Sequence, residues 1–135
     1  MEVRKYQQSD CQELVELWKR VFPDNAPHNE PAKLIENKLR VDDLIFVAEQ
    51  SGRLVGACMA GYDGHRGWLY AVAVLPEYRR QGYGEKLIGY AIHELRGIGC
   101  GKVNLQIRST NLEVAAFYKS LGFEVEDRLS MGIHT

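Results

Sequence analysis

The stretch YAVAVLPEYRRQGYGEKLIGYAIHEL, Tyr70–Leu95, decides how the chain is read. Tyr70 to Leu75 is apolar and valine-rich, as a strand requires, and Pro76 closes it. Leu87, Ile88, Ala91, Ile92 and Leu95 then recur at the spacing of one helix face. Between the two lies a basic, glycine-rich turn, Arg79-Arg80-Gln81-Gly82-Tyr83-Gly84. The pattern predicts strand, turn and helix. The first N–H groups of a helix lack intrahelical acceptors and sit at the positive end of its dipole, so glycines there let an anion reach bare backbone. A phosphate-bearing ligand is the expected occupant.

Spacing separates three kinds of phosphate loop. A P-loop requires G-x-x-x-x-G-K-[ST], which is not present in the chain. A dinucleotide fingerprint requires G-x-G-x-x-G and an acid about 20 residues on, but its third glycine is Leu87 here and the region near Asn104 offers no acid. What remains is R-x-x-G-x-G, from Arg79, Gly82 and Gly84, preceded by Val74-Leu75-Pro76. Taken alone, this string reads equally well as a glycine-tolerant strand-to-helix turn.

On the N-terminal side, Glu2 to Tyr6 reads as a short strand. Ser9 and Asp10 are N-cap candidates for a helix carrying Leu14, Leu17, Trp18 and Val21, and Pro23 stops it. Pro23 to Pro31 is a loop whose His28 is a candidate substrate contact or a solvated side chain, and a second helix follows with Leu34, Ile35 and Leu39 inward. Leu44–Ala48 and Leu54–Ala60 form a hairpin through Gln50-Ser51-Gly52-Arg53. Gly61 to Gly67 then forms a mobile, exposed loop into the strand at Trp68. In it, Asp63, His65 and Arg66 are either a solvated turn or a rim facing substrate. On the C-terminal side, Val103, Leu105 and Ile107 alternate as a half-buried strand, and Asn111 caps a last helix that stops at Gly122. Phe123-Glu124-Val125 and then Leu129, Met131 and Ile133 are expected as two closing strands.

The 135 residues suit one domain, with 45% apolar and 26% charged residues as in ordinary globular proteins. A net charge of −1 argues against a nucleic-acid partner. The apolar run Trp68–Leu75 is too short to span a bilayer, and the N-terminus has no signal-peptide core, so no membrane association and a cytoplasmic location are expected. Cys11, Cys58 and Cys100 lie far apart without metal-ligand spacing, so structural thiols and no metal are expected.

The R-x-x-G-x-G string resembles the pyrophosphate-binding motif of the GNAT family of N-acetyltransferases. The segment NLEVAAFYKSLGF, Asn111–Phe123, resembles that family's second signature, with an asparagine seven residues before a tyrosine and Gly-Phe closing the helix. The likeness runs from the first strand to the last and is strongest over Phe46–Phe123. It implies a single N-acetyltransferase domain over residues 1–135 of the short bacterial type. The implied fold is a mixed α/β (α+β) one, with a mostly antiparallel central sheet of six to seven strands flanked by about four helices.

The resemblance also implies roles. Acetyl-coenzyme A (acetyl-CoA) is the expected cosubstrate. Val72, Ala73 and Val74 match the strand that lines its pantetheine arm, with the Val72 amide placed to polarise the thioester carbonyl as a one-donor oxyanion hole. Arg79, Arg80, Gln81, Gly82, Tyr83 and Gly84 match the pyrophosphate loop. Asn111 matches a residue that hydrogen-bonds the pantetheine amide, and Tyr118 the acid that protonates the departing thiolate. The base is not legible: Asp63, His65, Tyr70 and water all stay open. The expected activity is direct acetyl transfer to a primary amine in a ternary complex, the acceptor being a small amine, an amino acid or a peptide N-terminus. The rival class is a non-catalytic acyl-CoA-binding regulatory module, against which Tyr118 counts. Either a monomer or a homodimer is compatible.

Overall fold

The computed structural model describes residues 1–23 and 30–135. The loop reading of Pro23 to Pro31, with His28, therefore falls largely outside the described residues. The elements in chain order are β1 (Glu2–Lys5), α1 (Cys11–Val21), α2 (Pro31–Val41), β2 (Ile45–Gln50), β3 (Arg53–Tyr62), β4 (Gly67–Val74), α3 (Tyr83–Gly97), β5 (Val103–Leu105) and α4 (Leu112–Ser120). They form a five-stranded sheet in the order β1-β2-β3-β4-β5. β1 to β4 pair antiparallel and β5 joins β4 in parallel, after the α3 crossover that a parallel pair requires.

Each element follows from local chemistry. Ser51 and Gly52 both take positive φ, the geometry of a two-residue hairpin whose twist matches the strands it joins. Glu30 caps α2 by accepting from the N–H groups of Ala32 and Lys33, and Pro31 stands where its missing N–H costs nothing. β3 is buried along most of its length, so its two faces meet different helices. Met59 faces α1 and α2, where it joins Trp18 and Leu34. Gly56 faces α3 and Leu87. Leu14, Leu17 and Trp18 from one side and Leu87, Ile88, Ala91 and Leu95 from the other make the sheet the middle layer of the core.

Two expectations change. Asp10 stands at the start of α1, but its carboxylate does not cap the helix. It is buried and turned back, taking two guanidinium hydrogen bonds from Arg4 at 2.8 and 2.9 Å and the Gln7 N–H at 2.7 Å. Arg4 also reaches Glu49 at 2.9 Å, so one cation ties β1, β2 and the entry to α1.

The sheet also has five strands, not six or seven. Phe123–Val125 and 129–133 join no ladder among the described residues, and Leu129, Met131 and Ile133 are 90–92% exposed. Alternation marks a segment able to be a strand, but a strand exists only where backbone groups find a neighbour. Among the described residues, side chains reach β5 and its flanks: Glu126 meets Lys102 and Asn104, and Ser130 meets Gln106.

Candidate active site

Past Val74 the chain makes a single turn of 3-10 helix, Pro76–Tyr78, and enters the basic loop. The Arg79 Nε donates to the Val74 carbonyl at 3.1 Å, folding that side chain back onto the strand end. Arg80 and Gly82 both take left-handed backbone, at φ 62° and 86°. A turn bent by such left-handed residues just before a helix start can present successive N–H groups to a common side, as anion-binding concavities do. Gly82 is the N-cap of α3, and no side chain caps the first turn. An added Cβ at Gly82 would meet nothing within 4 Å, so the glycine is demanded by φ, not by space. Gly84 is the reverse case: an added Cβ would lie 3.2 Å from the Phe117 ring of α4.

β4 carries an irregularity that no glycine or proline announces. Its register against β3 shifts between Ala57/Ala73 and Met59/Tyr70, so that Ala71 and Val72 together stand opposite Cys58. Ala71 has φ 48°, and its carbonyl accepts from the Trp18 indole at 3.0 Å. This is a β-bulge, a device that re-aims the backbone beside it. β5 pairs with β4 only over Gly67–Leu69, so Tyr70–Val74 keep an edge without a ladder partner among the described residues.

Tyr118 lies near Cys58, the β3 residue that faces the bulge. It is 7% exposed, the one buried side chain of α4, and packs edge-on against Phe117 and Phe123 at centroid distances of 5.2 and 5.4 Å. Burial, and secondarily the nearby Cys58 thiol, push its phenol up to about 12. The group therefore holds its proton at neutral pH. Asn111 accepts from the Val114 N–H at 3.2 Å as the N-cap of α4 and is exposed.

Beyond the bulge, a pocket of about 290 Å³ opens between α1, α2 and the β3–β4 pair. Trp18, Phe22, Leu34, Met59, Tyr70 and Ala71 line it. No local pattern marks this pocket, because its walls come from four elements and its one local cue is the apolar face of α1. Of the residues left open as bases, Tyr70 lies on the pocket, half-exposed, with burial and secondarily Asp63 raising its phenol above the usual value. Asp63 instead holds its own turn, accepting from the N–H groups of His65 and Arg66 at 2.8 and 2.7 Å, and those bonds keep its carboxyl below the usual range. The connection is thus a braced turn of residues 63–66, shorter than the mobile Gly61–Gly67 loop expected, because Gly61, Tyr62 and Gly67 are paired in β3 and β4. Cys58 is fully buried, and burial pushes its thiol up to about 12, so it is no nucleophile at neutral pH. Among the described residues, no group of three His, Cys, Asp or Glu side chains is placed to hold a metal, and no helix is long and apolar enough to cross a membrane.

The layout is a mixed α/β one, with an uncapped helix N-terminus after β4, a bulge within it and a parted β4–β5 pair. Residues 11–123 match the model of the acetyltransferase (GNAT) family. An acetyltransferase of Yersinia enterocolitica is 41% identical over 133 residues, covering 98% of this chain and 94% of that protein. The chain belongs to the GNAT family of acetyltransferases. Among solved structures, a putative acetyltransferase from Agrobacterium tumefaciens superposes with a TM-score of 0.80 at 26% identity, with both chains covered in full. The aminoglycoside N-acetyltransferase AAC(6')-Iy, solved with CoA, superposes with a TM-score of 0.84 at 22% identity, over 98% of this chain and 93% of that one. At that identity the likeness is one of fold.

Proposed function

We propose that the protein transfers the acetyl group of acetyl-CoA directly to a primary amine within a ternary complex. The observation that carries this reading is a chain of contacts: the uncapped start of α3 meets α4 where Gly84 faces Phe117, and the next residue of α4, the protonated, buried Tyr118, lies near Cys58 opposite the bulge of β4. The loop from Arg79 to Gly84 binds the pyrophosphate through backbone N–H groups and the two guanidinium charges. The edge Val72–Val74 receives the pantetheine arm, and Asn111 contacts its amide while capping α4. The amide of Val72, re-aimed by the bulge at Ala71, donates to the thioester oxygen as negative charge develops there.

The amine nitrogen then forms a bond to the carbonyl carbon, and the carbon–sulfur bond breaks. The phenol proton of Tyr118 goes to the departing thiolate, and the proton lost by the attacking nitrogen goes to solvent, from which the phenolate is reprotonated. No covalent acyl-enzyme is required, consistent with the buried, protonated Cys58. The test is thiol release from acetyl-CoA with and without added amine, paired with mass detection of the acetylated amine. Thiol release that no amine stimulates, from a protein that binds acetyl-CoA in calorimetry, would leave only a binding module.

A further inference from the structure

The geometry points to a substrate class: we infer that the acceptor is a single-ring or branched-aliphatic primary amine, its apolar body seated between α1, α2 and the bulge of β4. This rests on the acetyl-transfer reading above and deepens it.

Three observations carry the inference. First, the walls named above include no charged side chain, and the one polar group among them that is free to meet a ligand is the Tyr70 hydroxyl. The indole N–H of Trp18 is already given to the Ala71 carbonyl, so Trp18 contributes an apolar surface. Second, the volume of about 290 Å³ is at the low end for small-molecule sites, which suits one ring with a short arm better than a multi-ring amino sugar.

Third, the described carboxylates on the surrounding elements are already engaged. Glu13 takes the Leu54 N–H, Glu16 takes the Gln12 amide, Glu30 caps α2 and Glu36 pairs with Arg40. Asp42 holds Lys38 at 2.7 Å, Asp63 holds its turn, and Glu77 makes a forked pair with Arg20. A polycation would require carboxylates free to meet it, whereas a lone amine on an apolar body requires apolar contact and one hydrogen-bonding partner at the mouth. Seating that amine beside apolar walls also disfavours its charged form, which brings it to the thioester as the neutral nucleophile without a dedicated carboxylate base.

The experiment measures kcat/KM by thiol release for the full chain with 2-phenylethylamine, isopentylamine, ethylamine, spermidine and kanamycin, with acetyl-CoA affinity measured separately by calorimetry. The expected result is a preference of about 100-fold or more for 2-phenylethylamine over ethylamine, from apolar area removed from water. Spermidine and kanamycin should be poorer than either apolar amine. Leu34→Asp, at a part-exposed position of α2, should lower the phenylethylamine value by about tenfold or more and leave acetyl-CoA affinity unchanged. Ligand-observed NMR with 2-phenylethylamine and its loss in Leu34→Asp reads the pocket even if turnover is slow. Spermidine or kanamycin matching the apolar amines, or a phenylethylamine signal indifferent to Leu34→Asp, overturns the inference while leaving acetyl transfer standing. Failure to bind acetyl-CoA, or an absence of thiol release with every amine, would instead strike the reading beneath it.

Discussion

The Phe117 ring lies 3.2 Å from the point where a Cβ on Gly84 would sit, so the start of α3 and the middle of α4 touch at a place where a methyl group fits only if the ring shifts. Two sequence signatures over thirty residues apart are thus one contact. Gly84→Ala should destabilise the fold by about 1 kcal/mol, because the ring must give by a few tenths of an ångström, and Gly84→Val by about 1–3 kcal/mol. Phe117→Leu should recover much of the loss in the Gly84→Ala background. Denaturant unfolding of the double-mutant cycle measures the coupling, and strict additivity would show that the two residues do not constrain each other.

Gly82 tests backbone shape without crowding, since nothing lies within 4 Å of its missing Cβ. Gly82→Val forces a β-branched residue toward φ 86°, a left-handed conformation that it resists. Acetyl-CoA affinity should fall by about 2 kcal/mol, close to thirtyfold, on the scale of lost charge-assisted hydrogen bonds. Calorimetry that finds a folded variant with unaltered affinity would remove the pyrophosphate from this loop.

Tyr118→Phe deletes one oxygen from a buried ring and keeps the packing against Phe117 and Phe123. Turnover should drop by roughly 10- to 1,000-fold with little change in cofactor affinity, the lower part of that range being favoured because a thiolate already leaves fairly well. With the phenol pushed up to about 12, its proton is retained throughout the assayable range, so the pH–rate profile of the native protein should show no descending limb from this group below pH 9. Full turnover in the phenylalanine variant, with chemistry limiting, would assign thiolate protonation to water.

The Arg4–Asp10 pair makes a prediction about acid stability. Its guanidinium hydrogen bonds hold the Asp10 carboxyl below its ordinary value of 3.8. A carboxyl lowered in the folded state stabilises fully above its unfolded value, and that stabilisation is lost as pH falls through the folded one. The native protein should therefore lose stability progressively below about pH 4. Asp10→Asn should cost about 3 kcal/mol at pH 7, at the low end of the range for breaking a buried pair because Arg4 keeps Glu49, and flatten that acid limb. Parallel acid limbs for variant and native protein would place the acid sensitivity elsewhere.

What could be read from the residues was local. Val72 and Val74 before Pro76, then Leu87, Ile88, Ala91 and Leu95 at helical spacing, specify strand, turn and helix without help from the rest of the chain, and the Asn111 cap is equally self-contained. What escaped depends on distant partners. The Asp10 carboxylate chooses Arg4 over its own helix because burial makes a charged partner worth more than a cap. The bulge at Ala71 is fixed by a bond from Trp18, fifty-three positions away. Leu129, Met131 and Ile133 alternate as a strand does, yet alternation states which face would be buried and is silent on whether a neighbour exists.

The parted edge from Tyr70 to Val74 has a thermodynamic consequence. A sheet that ends there forgoes part of the cohesion that a continued ladder would give it, and any molecule that lends hydrogen bonds to this edge completes the architecture from outside. Such a molecule binds the folded chain and not the unfolded one, so its concentration enters the folding equilibrium directly: a hundredfold excess over its dissociation constant adds about 2.7 kcal/mol. A domain of this size has few kilocalories to spare, and its lifetime against unfolding and proteolysis becomes a readout of how much ligand surrounds it.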